Sequence, residues 1–169
     1  GKSVAPVVVA FVPRVTYDDY GPKVKQFVEA VAEELIPMID ERFRTLQGGE
    51  NRLMTGIASG SFASAYLALS RPETVGNVAL QSFYFREEAE EELRGLIADG
   101  DRESTRFWMG WSRYDLRGGD LDCEADSREM AKLLAEAGYD VTTHESTDGG
   151  GWGMWRASTG RILEWVFGN

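Results

Sequence analysis

The sequence predicts an α/β fold, a mainly parallel sheet flanked by helices. Three observations carry that prediction. Apolar segments alternate between strand-like and helix-like spacing in the order β-α-β-α-β-α-β-α-β-α. Such alternation implies parallel strands joined by crossover helices. Val4 to Val12 (VAPVVVAFV) is a continuous β-branched run, the pattern of a central strand covered on both faces. Arg52 to Leu69 reads as a short strand, a tight Gly/Ser turn and an Ala-rich helix. In α/β enzymes this junction aims a side chain or an amide at a ligand.

Taken in order, Pro13 to Pro22 is a loop. Val24, Phe27, Val28, Val31, Leu35, Ile39 and Phe43 then recur at helical spacing, which predicts an amphipathic helix from about Pro22 to Arg44, kinked at Pro37. Gln47 to Glu50 is a turn. Pro72 punctuates the helix that follows the Gly/Ser turn. Val75 to Ser82 is a strand, ending in the aromatic cluster Phe83-Tyr84-Phe85. Arg86 to Ile97 is an acidic helix with Ala89, Leu93, Leu96 and Ile97 inward, and Ala98 to Ser104 a polar turn. Thr105 to Ser112 is a strand and Arg113 to Glu124 a long acid-bearing loop. Asp126 with Glu129 three residues on suggests a capping box for a helix through Ala137, which Gly138 ends. Val141 to Thr147 is the last strand, and Asp148 to Gly151 a glycine turn. Trp152, Trp155, Thr159, Ile162, Leu163 and Val166 line one face of the closing helix.

At 169 residues the chain suits a single domain. It has 28 acidic and 18 basic residues, a formal charge of −10, which argues against a nucleic-acid partner. No apolar run reaches membrane-spanning length, and Gly1-Lys2-Ser3 leads straight into a strand-like run without a visible signal peptide. The expectation is a soluble protein that does not engage a membrane, the cytoplasm favoured over secretion. A lone cysteine, Cys123, allows no internal disulfide and no multi-Cys zinc site. Its acidic neighbours Asp120, Asp122 and Glu124 disfavour a thiolate. The glutamates Glu87, Glu88, Glu90, Glu91 and Glu92 read as a solvated helix face rather than a metal site. No metal and no cofactor is expected.

Gly56-Ile57-Ala58-Ser59-Gly60 has the register of a nucleophile elbow, G-x-S-x-G, with alanine at the tip. Four strand ends converge on that point in a parallel sheet: Ala58-Ser59-Gly60, Ser82-Phe83-Tyr84-Phe85, Ser112-Arg113-Tyr114-Asp115 and Asp148 to Trp152. Together they predict an aromatic pocket with an acid on one wall. Ser59, Phe83, Tyr84, Tyr114 and Trp152 are the candidate ligand-binding residues.

These residues resemble the esterase D / enterochelin-esterase-like group of α/β hydrolases, which includes siderophore esterases, feruloyl and acetyl-xylan esterase domains and mycolyltransferases. The resemblance covers essentially the whole chain. It rests on Glu34 to Thr45, the elbow, Gln81-Ser82, Arg113-Tyr114-Asp115-Leu116 and Gly149-Gly150-Gly151-Trp152-Gly153-Met154-Trp155-Arg156. The family typically shows Gly-Gly-His-Asp-Trp at the last of these. The resemblance places the family's catalytic serine on Ala58, its histidine on Gly150, the following aspartate on Gly151 and the triad acid on Asp115. It makes the Ser59 amide one oxyanion donor. Acyl transfer by this route needs a hydroxyl and a base to take its proton, and neither a methyl group nor a hydrogen serves. The expectation is therefore a catalytically inactive, esterase-like domain that retains a pocket for a small ester, sugar or aromatic ligand, or serves a structural role. The alternative is an active ester hydrolase using Ser59 or Ser61. His144, the single histidine, lies inside the last strand and is not expected to act as a base. The resemblance also implies further strands before Val4, one of them between the Val4–Val12 strand and the elbow strand. Residues 1–169 are thus expected to be one esterase-like domain forming the C-terminal part of a larger one, its sheet completed by an N-terminal segment or a separate chain. Replacing Ala58 by Ser together with Gly150 by His is expected to restore some hydrolysis if the rest of the site is intact.

Overall fold

The computed structural model describes residues 4–13 and 21–168. Its centre is a four-stranded parallel sheet in the order β1-β2-β3-β6, formed by β1 (Leu53–Ile57), β2 (Asn77–Gln81), β3 (Arg106–Tyr114) and β6 (Asp140–Gly149). A small antiparallel hairpin, β4 (Arg117–Gly118) and β5 (Leu121–Asp122), lies within the loop after β3. All five residues of β2 are buried, as expected of a strand with neighbours on both sides and helices on both faces.

Alternation along the strands sorts the core into two layers. Val78, Leu80, Phe107 and Met109 face one way, into a large cluster with Val28 of α1 (Val24–Ala30), Phe62 and Leu67 of α3 (Ser59–Ser70), Leu93 and Ile97 of α4 (Glu90–Asp99) and Met130 and Leu134 of α5 (Cys123–Glu136). Ala79 and Trp108 face the other way, against Ile162 and Trp165 of α6 (Trp152–Phe167). Helix α3 is buried at nine successive positions, Ser61 to Leu69, which explains why its sequence is apolar and small all round rather than amphipathic.

Four expectations change. Val4–Val12 is not a central strand. It makes one antiparallel bridge, Val4 with Gly168, and the Ala5 amide donates to the Phe167 carbonyl at 3.2 Å. Its start is thereby tied to the end of α6, and Val8, Val9 and Phe11, which pair with no strand among the described residues, are exposed. The long helix is interrupted by a π-turn, Val31–Leu35, before α2 (Ile36–Arg42). Pro37 has no amide to give to the preceding turn, and a wider turn absorbs the mismatch. Helix α5 starts earlier than the proposed capping box. Asp122 is its N-cap, accepting from the Ala125 amide at 3.0 Å, while Asp126 sits inside the helix and accepts from the Phe85 amide at 3.0 Å. Trp152, grouped by spacing on one face of α6 with Trp155 and Ile162, parts from them: they are buried and it is exposed. Gly138 ends α5 at φ +95° as the sequence implies.

Strand β1 is an edge of the sheet. The Ala58 amide donates to the Gln81 carbonyl and the Asn77 amide to the Arg52 carbonyl. In a parallel ladder this register turns the even-numbered residues of β1 toward β2. The amides and carbonyls of Leu53, Thr55 and Ile57 point outward, without a strand partner among the described residues.

Candidate functional site

The turn between β1 and α3 holds Ala58 at φ 52°, ψ −119°, a left-handed conformation that costs a non-glycine residue about 1–3 kcal/mol. The surroundings enforce it. A Cβ at Gly56 would stand 2.1 Å from the Gly60 carbonyl oxygen, so the chain crosses itself at a distance only glycine permits. The Ala58 amide is bonded to Gln81, and the Ala58 carbonyl accepts from the Ser61 amide at 2.9 Å. Ser61 is fully buried. Its hydroxyl lies 2.8 Å from the carbonyls of both Gly56 and Gln81 and accepts from the Gln81 amide at 3.0 Å. It is the pin of the turn and is not free to attack a ligand. Ser59 is half-buried at the start of α3. Its amide has no acceptor among the described residues, which leaves it available to a carbonyl or an anion at the positive end of the helix.

The acid is held rigidly beside this turn. Asp115 follows β3 and is 7% exposed. Its Oδ2 accepts from the Ser82 hydroxyl and the Ser112 amide, both at 3.0 Å, and its Oδ1 from the Leu116 amide at 2.8 Å. The Ser82 hydroxyl in turn accepts from Trp155 Nε1 at 2.8 Å. A relay Trp155–Ser82–Asp115 therefore ties α6, the end of β2 and the end of β3 together. Ser82 stands at φ 50°, a second strained residue one position beyond the strand that carries the elbow's hydrogen bond. The sequence marked Gln81-Ser82 only as part of a motif. The roles of Ser82, Ser112 and Trp155 in holding the carboxylate were not legible, because each depends on a contact between segments distant in the chain.

The glycine turn closes over the acid. Tyr114 pairs with Gly149 across β3 and β6, and the Gly150 amide donates to the Tyr114 carbonyl at 3.0 Å. A Cβ at Gly150 would lie 2.5 Å from Asp115 Oδ1 and 2.9 Å from both the Asp115 Cα and the Leu116 amide nitrogen. Two of those atoms are backbone, so a histidine here requires the turn to move, and restoring the side chain alone does not restore a ready-made base. Gly151, at φ +147°, starts α6 in a conformation that favours glycine.

The aromatic candidates separate. Tyr114 and Trp152 are 66% and 77% exposed on either side of the glycine turn, and Trp152 meets Trp155 edge-on at 5.5 Å. Tyr84 is half-buried, with the Arg86 guanidinium over its ring and bonded to its hydroxyl at 3.1 Å. Phe83 is fully buried, stacked on Phe62 and edge-on to Phe85. It belongs to the core, and no face of it is open to a ligand. The left-handed turn at Ser82 ends the strand's alternation and sends Phe83 inward.

Other reactive side chains stand elsewhere. Cys123 is fully buried, and burial together with Asp115, Asp126 and Asp122 pushes its thiol up to about 12. His144 lies on β6 beside Arg161 of α6 and the Trp108 ring. Partial burial and the Arg161 charge hold it below the usual imidazole range. A groove of about 600 Å³ lies at the far end of α3 from Ala58, where Lys25 and Tyr66 converge on Glu92. Among the described residues, no group of three or more His, Cys, Asp or Glu could hold a metal ion, and no helix is long and apolar enough to cross a membrane.

Comparison with known proteins gives the family and the fold. A family model described as "Putative esterase" matches residues 4–165. The uncharacterized protein YjcH of Bacillus subtilis (strain 168) is 30% identical over 124 residues, which cover 72% of this chain and 51% of that protein. The enterobactin esterase FES of Shigella flexneri, solved in the presence of 2,3-dihydroxy-N-benzoyl-glycine, superposes with a TM-score of 0.70 at 18% identity, over 84% of this chain and 38% of FES. S-formylglutathione hydrolase of Staphylococcus aureus gives 0.66 at 10% identity, over 85% of this chain and 64% of that one. These likenesses establish the fold. The chain spans about half the length of the curated relative it matches.

Proposed function

The chain belongs to the family described as "Putative esterase", and from that premise we propose that it is an esterase-like domain without the attacking hydroxyl and the base, one that binds a small ester, sugar or aromatic ligand rather than cleaving it. The observation that carries this reading is the elbow itself. Ala58 occupies the strained tip with a methyl group, and the turn at Gly150 packs directly on Asp115 where a base would need room. Two features support the binding reading. The Ser59 amide is unengaged, and Tyr114 and Trp152 offer exposed ring faces suited to stacking on a flat ligand. Loss of both nucleophile and base leaves only the background from ligand binding and oxyanion donors.

A second reading is an active ester hydrolase with Ser59 as nucleophile. One observation favours it: Ser59 is half-exposed at the mouth of the turn, and its hydroxyl has no partner among the described residues. Ser61 is no candidate, since its hydroxyl is committed to the backbone. In either reading, residues 1–169 form the C-terminal part of a larger domain, and an N-terminal segment or a separate chain completes the sheet along the outer edge of β1. The test is hydrolysis of short p-nitrophenyl esters by the purified protein, alongside Ser59→Ala. Equal, background rates support the binding domain, and a rate abolished by Ser59→Ala supports the hydrolase.

A further inference from the structure

We draw no further inference here: the strongest candidate, the unpaired outer edge of β1 together with the apolar side chains exposed from Val7 to Phe11, belongs to the sheet-completing role already proposed, and nothing in the structure shows what covers it.

Discussion

Replacing Asp115 by alanine removes three hydrogen bonds at one buried point. The Ser112 amide and the Ser82 hydroxyl both belong to fully buried residues, and each loses its acceptor. The Leu116 amide is half-exposed and can turn to solvent. An orphaned buried donor costs about 1–3 kcal/mol. Two give about 2–6 kcal/mol, reduced by the desolvation the carboxylate no longer suffers. A net loss of about 2–4 kcal/mol is expected, a large fraction of a domain stability of about 5–15 kcal/mol. For a chain of this size that lowers the melting temperature by roughly 4–16 °C. Urea unfolding followed by tryptophan fluorescence reads it directly, because the Trp155 indole sits in the relay. The midpoint should fall with the slope unchanged, and Asp115→Asn, which keeps an acceptor oxygen, should lose less. A change under about 0.5 kcal/mol for Asp115→Ala, the range of ordinary surface substitutions, would refute the relay and make Asp115 a solvated loop acid.

Three further outcomes follow from the same geometry. Gly150→His should lose about 1–3 kcal/mol through overpacking against Asp115 and Leu116; a variant as stable as the parent in the same urea assay would contradict the close approach. Cys123, buried and held as the thiol, should resist a thiol-specific reagent at pH 8 in the native state and react fully in urea; rapid native labelling would show that the α5 start is open. His144 binds its proton less readily folded than unfolded, so its contribution to stability is complete above the unfolded value near 6.5 and is lost as pH falls from there through its lower folded value. NMR titration of this single histidine, repeated with Arg161→Gln, should show the variant titrating at higher pH; an unchanged titration would remove Arg161 as a cause.

From the elbow strand onward the order of parallel strands and helices was legible because it rests on local periodicity, and Gly56, Gly138 and the elbow register carried their own backbone demands. What was not legible depended on partners. A β-branched run such as Val4–Val12 has strand propensity, but a strand exists only when another strand takes its hydrogen bonds, and here its start is bonded to the end of α6 instead. Asp122 and Asp126 are both plausible caps by type. The choice falls to Asp122 because the helix begins by burying Cys123 completely. Phe83 looked like a pocket wall because it ends a strand, and the left-handed turn at Ser82, invisible in the residue type, places it in the core. At the site, Ala58, Gly150 and Asp115 were found by motif, and Gly150 packs directly on Asp115. Their support by Ser82, Ser112 and Trp155 emerged only from the fold.

On the function proposed above, the elbow holds a ligand without attacking it. Fluorophosphonate labelling of the folded protein, with the adduct mapped by mass spectrometry, tests it most directly. No covalent adduct is expected at any serine, while Ala58→Ser, which puts a hydroxyl at the strained tip, gives at most slow labelling at residue 58. Rapid, stoichiometric labelling of Ser59 in the unaltered protein would contradict it and establish a working nucleophile one residue beyond the tip.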